Sequence, residues 1–189
     1  RSGWQTKPLS TQSILLWNPR GIAVKQGAPK IAEMAEVLAM EDISVVVLPE
    51  SHLNGTFSDD DVAPPGYNVL RQDRTAVGKK GKTRKQGGVL VLIQEDRPID
   101  FATVATRSGE DFEMVAFDDG KDGVRYVCVY RTPGDQCSRA LLDAISEETQ
   151  KSKDAMVLGD LNMNTMRRNP QPRQLHTLLR HELGLGQRV

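Results

Sequence analysis

The run ISVVVLP at 43–49 constrains the fold of this chain more than any other stretch, because it is almost continuously apolar and rich in β-branched residues. Strands with one face in water alternate polar and apolar residues, whereas continuously apolar runs are typical of strands covered on both faces. The fold must therefore place a packed layer on each side of this strand.

Strand-length runs and helical patterns follow one another along the rest of the chain. Further strands are predicted at 13–17, 67–71, 87–93, 112–117, 123–130 and 155–158, and helices at 29–40, 138–150 and 173–184. The helices carry apolar residues at helical spacing, and they flank a block of consecutive strands. This order favours stacked sheets with helices outside, an α/β or α+β sandwich. With 189 residues, the chain is predicted to form a single domain over 1–189.

Composition excludes several classes of protein. Basic and acidic residues number 25 each, so no net charge draws the whole chain to nucleic acid or to a membrane surface. No apolar run approaches the about 20 residues that span a bilayer. The two cysteines, Cys128 and Cys137, are too few for a disulfide framework, and residues 1–10 lack the apolar stretch of a secretory signal. We therefore expect an intracellular protein without a membrane partner.

Polar side chains stand at the ends of the most apolar predicted strands. Each of the following residues closes such a strand or comes shortly after one: Asn18, Glu50, Tyr130, Asp160 and Asn162. Ligands of open α/β sheets collect outside the carboxyl ends of strands, so the five side chains are predicted to share one crevice. The alternative is that they are turn residues that end separate strands and share no site.

The chemistry of these residues favours phosphate ester hydrolysis. Carboxylate and carboxamide oxygens are hard ligands that suit Mg²⁺, which commonly takes one or two protein carboxylates and keeps several waters. Such an ion, with amide and phenol donors around it, would neutralise the charge that grows on a phosphoryl group. The sequence contains no GxSxG, GxxxxGK[ST] or CxxC motif that would favour another chemistry.

A basic segment at 71–86 is the strongest local charge in this neutral chain. It has one acidic residue, Asp73, and seven basic residues, Arg71, Arg74, Lys79, Lys80, Lys82, Arg84 and Lys85, for a net charge of +6. Such a segment is predicted to bind DNA phosphates in a salt-sensitive manner that does not depend on base sequence. Arg131 is a further candidate for a phosphate contact. The alternative is a solvated loop without a ligand.

Five motifs occur in a characteristic order: WNPRG at 17–21, PESHL at 49–53, RQDR and GGV between 71 and 89, VYRTPG at 129–134 and GDLN at 159–162. This series resembles the endonuclease/exonuclease/phosphatase superfamily, and most of all the endonuclease domains of LINE-type (non-LTR) retrotransposons. The resemblance spans roughly residues 13–189. It implies a four-layered sandwich of two packed, mixed β-sheets flanked by helices.

The resemblance also implies roles for the strand-end residues. Glu50, with Asn18 beside it, would bind Mg²⁺, or Mn²⁺ in its place. Tyr130 would hydrogen-bond the scissile phosphate, Asp160 would orient or activate the attacking water, and Asn162 would stabilise the transition state. The implied activity is the cutting of one DNA strand, which leaves a 3′-hydroxyl that primes reverse transcription. The implied partners are DNA and a reverse transcriptase domain of the same polyprotein, and the implied location is the nucleus.

One part of the family pattern is not found in this sequence. The family continues with strands that carry an aspartate and a Ser-Asp-His triplet, whereas His52, His176 and His181 belong to no such triplet. We therefore expect a domain truncated at its carboxyl-terminal strands, with two exposed sheet edges. Nuclease activity is expected to be weak or absent, since losing a phosphate donor typically costs about 2.7–4 kcal/mol. The alternatives are that the missing segment is disordered or cleaved, or that a homodimer or a domain swap completes the fold.

Two other functions agree with the same motifs. One is a different phosphoesterase of the superfamily, either a repair nuclease acting at abasic sites or a lipid or inositol phosphatase. The other is a nucleic-acid-binding module that keeps the fold without catalysis. Activity on plain, abasic and lipid substrates separates the first from an endonuclease, and DNA binding without metal-dependent cutting identifies the second.

Overall fold

The structure, a computed structural model, describes residues 13–22, 29–75, 86–120, 123–134, 137–163, 175 and 177–183. Two sheets of four strands form its centre. In spatial order, the first sheet holds β1 (Ile14–Leu16), β2 (Val45–Pro49), β4 (Val89–Gln94) and β3 (Tyr67–Gln72). The second sheet holds β5 (Ile99–Ser108), β6 (Phe112–Asp119), β7 (Arg125–Arg131) and β8 (Ala155–Asp160).

Each sheet is mixed, with one parallel pair at an edge. β1 pairs with β2 in parallel, and β7 pairs with β8 in parallel, while the other neighbours are antiparallel. Parallel neighbours need a long crossover, and a helix lies in each one. The helix α1 (Pro29–Met40) comes between β1 and β2, and α2 (Arg139–Thr149) comes between β7 and β8.

The strand β2 shows why the sheets are covered on both faces. All of its residues are buried. Because successive side chains point to opposite faces, Val45 and Val47 join the core between the two sheets. Val46 and Leu48 join a second core beneath α1. The prediction made from its continuous apolar run is confirmed.

Three apolar cores separate four layers. The first lies between α1 and the first sheet and includes Met34, Leu38, Val46, Leu48, Leu90 and Leu92. The second lies between the sheets and includes Val47, Val91, Val115, Phe117, Tyr126 and Cys128. The third lies between the second sheet and α2 and includes Met114, Val127, Val129, Leu141 and Ile145. The predicted four-layered sandwich is therefore confirmed.

Two predicted elements differ from the structure. The strand β5 has no counterpart among the predicted strands, because most of its residues are exposed or half-buried and its pattern is broken by a register shift between Asp100 and Ala105. The predicted helix at 173–184 is described only in part, and its described end is a short π-helix at Leu178–Glu182. Leu175 and Leu178 nevertheless pack into the core beneath α2, as their apolar stripe predicts.

Neither α1 nor α2 has the length and hydropathy that a membrane-spanning helix requires, and the same holds for every helix in the described part of the chain. At the edges of the two sheets, β1 and β8 each pair with one strand among those described.

Candidate active site

The end of β1 meets the end of β8 through a hydrogen bond between side chains. Asn18 follows β1, and its Nδ2 donates to Asp160 Oδ2 over 2.9 Å. The Oδ1 atom of Asn18 accepts from the backbone N–H of Arg20 over 3.0 Å, which fixes the orientation of the amide. Two residues that are 142 positions apart in the chain are thereby held together.

The end of β7 meets the end of β2 in the same manner. The phenol of Tyr130 donates to Glu50 Oε1 over 2.6 Å. Burial, and then the hydrogen bond to Glu50, raise the pKa of Tyr130, so the phenol stays protonated and remains a donor. Tyr130 also lies directly opposite Asp160 in the parallel ladder of β7 and β8.

Backbone contacts complete a closed circuit through these residues. The N–H of Gly21, three positions after Asn18, donates to the carbonyl of Glu50 over 2.7 Å. A continuous series of contacts thus runs from Asn18 to Asp160, from Asp160 to Tyr130, from Tyr130 to Glu50, and from Glu50 back to the loop that carries Asn18. The structure therefore brings the predicted strand-end residues into one site.

Strained backbone is concentrated at this site. The described residues contain four non-glycine positions with positive φ, namely Arg20 at 50°, Glu50 at 56°, His52 at 55° and Asn162 at 48°. Each lies in a turn that leaves β1, β2 or β8. Side chains with a Cβ adopt this conformation at a cost of about 1–2 kcal/mol per residue, and such residues cluster where function requires them.

Gly159 explains how Asp160 reaches the site. Its φ is 136°, and a Cβ atom built there would lie 1.8 Å from the carbonyl oxygen of Val129, its ladder partner on β7. Only a glycine permits so close an approach of the two backbones. The end of β8 therefore lies close against β7, and Asp160 lies beside Tyr130.

The carboxylate of Asp160 is held on both oxygens. Oδ2 accepts from Asn18, and Oδ1 accepts from the backbone N–H of Asn162 over 2.9 Å. The side-chain amide of Asn162 donates to the carbonyl of Arg131 over 2.7 Å. An ionised carboxyl group offers about four acceptor positions, so Asp160 can accept a further hydrogen bond from a water molecule.

A buried ion pair lies behind the Glu50 side of the site. Arg74 Nη1 is 3.3 Å from Glu113 Oε1, and the backbone N–H of Gly88 donates to Glu113 Oε2 over 3.0 Å. The carbonyls of Gly87 and Gly88 in turn accept from the N–H groups of His52 and Ser51, over 2.8 and 3.4 Å. The pair therefore braces the turn that begins at Glu50.

Glu113 was not predicted to be a residue of the site, although its local sequence gives a reason to single it out. A single carboxylate in the apolar run FEMVAF needs a buried partner or a ligand. Burial raises the pKa of Glu113, and the Gly88 N–H and Arg74 oppose that shift.

Burial has the opposite effect on the basic side chain of His52. It lowers the pKa of His52, which favours the neutral imidazole beside Gly21.

The predicted DNA-contacting arginines require a correction. Arg74 is 5% exposed and Arg131 is 1% exposed, and both guanidinium groups bond inside the protein, so neither side chain is exposed for the predicted phosphate contact. Arg71 is half-buried and pairs with Asp59 over 3.1 Å. The other predicted contacts, Lys79, Lys80, Lys82, Arg84 and Lys85, lie outside the described residues, as does His176.

The donors at the site fit a hard divalent cation. Glu50 Oε1 is engaged by Tyr130, while Oε2 accepts no hydrogen bond from the described residues. Glu50 Oε2 and the amide oxygen of Asn18 are oxygen ligands of the kind that Mg²⁺ prefers. The described residues contain no group of three or more His, Cys, Asp or Glu that could hold a metal, so they form no site of the zinc type.

Comparisons with known proteins agree with this geometry at the level of the fold. No family model matches the sequence, and no curated protein sequence matches it. Solved structures do match. The 3′ phosphatase NExo from Neisseria, bound to a product DNA hairpin, has 18% identity and a TM-score of 0.58, with 87% of this chain and 63% of that chain covered.

Two further structures have the same architecture. The endonuclease domain of TRAS1, a telomere-specific non-LTR retrotransposon, has 17% identity and a TM-score of 0.57, covering 92% of this chain and 72% of that domain. An endonuclease/exonuclease/phosphatase family protein from Leptotrichia buccalis has 14% identity and a TM-score of 0.58, covering 90% and 74%. The chain therefore has the fold of this superfamily, whose members here are nucleases and phosphatases, and it spans less than two thirds of the Neisseria protein.

Proposed function

We propose that this chain is a Mg²⁺-dependent DNA endonuclease that hydrolyses a phosphodiester bond and leaves a nick with a 3′-hydroxyl. The observation that carries the proposal is the closed circuit of contacts that joins Asn18, Asp160, Tyr130 and Glu50. A hydrolase needs a group that takes a proton from water and donors for the developing phosphoryl charge. The circuit contains candidates for both.

Each residue has a distinct task in this proposal. Glu50 and Asn18 would hold the metal, which supplies Lewis-acid neutralisation of the phosphoryl oxygens when bound. Asp160 accepts a proton from the attacking water. Asn162 has a second amide hydrogen besides the one given to Arg131, and it donates that hydrogen to a phosphoryl oxygen. Tyr130 donates a hydrogen bond to Glu50, which keeps that carboxylate in place.

The substrate in this proposal is duplex DNA, and the biological setting is a non-LTR retrotransposon. The five motifs support that setting, and so does the shared fold with the TRAS1 domain. In that setting the 3′-hydroxyl primes synthesis by a reverse transcriptase domain, which is the proposed partner. The side chain of Arg20, two residues after Asn18, is exposed.

Nicking of supercoiled plasmid tests the proposal. Because the activity of the 189-residue chain is expected to be weak, the chain is used in excess over plasmid. Mg²⁺ should then convert supercoiled DNA slowly to open circles, and chelation should prevent it. Asp160→Asn should lower the rate by roughly 10²–10⁴-fold, as expected for loss of a general base. Asp154→Asn, at the exposed residue just before the same strand, is the matched control and should leave the rate unchanged.

The products identify the chemistry. A DNA polymerase should extend the nicks without prior treatment, because the proposed cut leaves a 3′-hydroxyl. Plasmid conversion no faster than that of Asp160→Asn, even over long incubation with excess protein, would contradict the proposal. DNA binding that persists under those conditions would favour a non-catalytic nucleic-acid-binding module.

A second candidate is another phosphoesterase reaction in the same site. The shared fold with a 3′ phosphatase bound to a DNA hairpin favours a 3′-phosphorylated DNA end as its substrate. Comparing turnover on plain duplex, an abasic duplex, a 3′-phosphate end and an inositol phosphate distinguishes these reactions. Fastest turnover on plain duplex supports the first proposal.

A further inference from the structure

Arg131 bonds to the backbone that follows the catalytic candidate Asp160. Its Nη1 donates to the carbonyls of Leu161 and Asn162 over 3.1 and 3.3 Å, and its Nη2 donates to the carbonyl of Gly134 over 2.8 Å. Hydrogen bonds from a charged donor are about twice as strong as neutral ones. One buried side chain therefore holds the two residues that directly follow Asp160.

The contacts between Arg131 and Asn162 run in both directions. The guanidinium donates to the carbonyl of Asn162, and the Asn162 side chain donates to the carbonyl of Arg131 over 2.7 Å. Asn162 has a φ of 48°, and its own N–H donates to Asp160 Oδ1. A strained turn is thus clamped from two sides while it holds the carboxylate of Asp160.

Arg131 also forms an ion pair near the start of α2. Its Nε lies 3.8 Å from Asp111 Oδ2, beyond hydrogen-bond distance. The Asp111 carboxylate also accepts from the N–H and the hydroxyl of Ser138, over 3.1 and 2.6 Å. Ser138 caps α2 by accepting from the N–H of Leu141. The guanidinium therefore connects the start of α2 with the turn after β8.

We infer that Arg131 is a positioning residue that fixes the Asp160 carboxylate through the Asp160–Asn162 turn. The catalytic consequence rests on the proposed function, whereas the structural consequence does not. Lysine keeps the positive charge but lacks the planar fork that reaches several carbonyls at once. Arg131→Lys should therefore preserve the fold and loosen the turn.

Amide hydrogen exchange measured by NMR tests the structural consequence without any need for activity. In Arg131→Lys the N–H of Asn162 should exchange at least about 10-fold faster, because its acceptor on Asp160 is no longer held in place. Arg125→Lys is the matched control, since Arg125 is the first residue of β7 and is equally buried. It should leave the Asn162 amide unchanged.

Nicking kinetics test the catalytic consequence. Arg131→Lys should lower kcat by about 100-fold, as displacements near 1 Å do, with KM nearly unchanged. Arg125→Lys should preserve both constants. If the wild-type chain does not cut DNA, the proposed function fails, and the exchange experiment still decides the role of Arg131.

Three outcomes would overturn the inference. The first is unchanged exchange at Asn162 in a folded Arg131→Lys variant, and the second is an equal change in Arg125→Lys. Arg131→Gln, which retains a side-chain amide donor, provides a second variant if Arg131→Lys does not fold. Unfolding of both Arg131 variants alongside a folded Arg125→Lys is the third, because Arg131 would then serve folding alone.

Discussion

The strand β7 begins and ends with a buried arginine, and the two arginines differ in the groups that they bind. At the first end, Arg125 Nη1 donates to Asp118 Oδ1 over 2.6 Å and Nη2 bonds to Glu148 of α2. At the second end, Arg131 donates to backbone carbonyls of turns that leave the sheet. Arg125 forms short ion pairs, whereas Arg131 hydrogen-bonds irregular backbone and lies 3.8 Å from its carboxylate partner Asp111.

The charged end stabilises the junction between the second sheet and α2. Arg107 and Lys151 also bond to Glu148, each over 2.9 Å. Burial alone would raise the pKa of Glu148, but the hydrogen bonds from Arg125, Lys151 and Arg107 lower it to about 2. Each of these charged side chains has a partner of opposite charge in the network.

The backbone near the Arg131 end of β7 is strained, and a need for stability does not explain that strain. The left-handed residues Glu50 and Asn162 lie there, close to the polar groups of the circuit. Strained backbone persists where the surrounding contacts over-determine it, and it concentrates at functional sites. The comparison teaches that a buried charge in this fold can serve stability at one end of a strand and geometry at the other.

The largest expected effect is the loss of stability caused by an alanine at Gly159, and an alanine at Gly123 is its control. Gly159→Ala should destabilise the fold by more than about 4 kcal/mol, because the Cβ would collide with the carbonyl of Val129. Gly123→Ala, near the start of β7, meets no atom within 4 Å and has a φ of 68°. It should cost only about 1 kcal/mol. Urea denaturation measures both, and equal losses would contradict the account of Gly159.

Removing the central carboxylate of the charged network should affect stability without affecting the site. Glu148→Gln should lower the free energy of unfolding by about 3 kcal/mol, since it leaves Arg125 buried without a full partner. Nicking per folded molecule should stay at the wild-type rate. A loss of activity larger than the unfolded fraction explains would show that the two ends are not independent.

Acid should reproduce the effect of that substitution. The pKa of Glu148 is about 2 in the folded chain against an ordinary 4.5, so its stabilisation is complete above pH 4.5 and is lost as the pH falls towards 2. The difference in unfolding free energy between wild type and Glu148→Gln should shrink across that window. Urea titrations at several pH values measure it, and a constant difference would contradict the assignment.

The smallest expected effect comes from the contact that links α2 to the site. Ser138→Ala removes the N-cap of α2 and one partner of Asp111, which should cost about 1 kcal/mol. Nicking should decrease less than in Arg131→Lys, because the carbonyl contacts of Arg131 remain. Thermal unfolding and initial rates check both parts, and activity lost to the same extent would place the main anchor at Ser138.

The sequence predicts the buried part of this fold well because continuous β-branched runs have few alternatives. The run that becomes β2 is apolar on both faces, and both faces are covered. The edge strand β5 differs, since Phe101 and Ala102 are exposed and the register shifts within it. An edge strand satisfies only part of the pattern that identifies a buried one, so it could not be recognised.

The residues of the site also divide into those that the sequence predicts and those that it does not. Polar residues at strand ends predicted where the residues meet, because the ends of neighbouring strands converge for geometric reasons. Their catalytic roles stay predictions. The burial of Arg74 and Arg131 was not predictable, since an arginine in a basic or turn-rich segment has the same local sequence whether it faces solvent or a carbonyl. Tertiary contacts, which local sequence does not encode, decide between these cases.

The circuit has one consequence for motion between the layers. Both of its side-chain hydrogen bonds cross from one sheet to the other, since Asn18 and Glu50 extend the first sheet while Asp160 and Tyr130 end strands of the second. A sliding displacement of either sheet would part both bonds together. These hydrogen bonds thus hold the two sheets in one alignment, and the proposed reaction depends on that alignment.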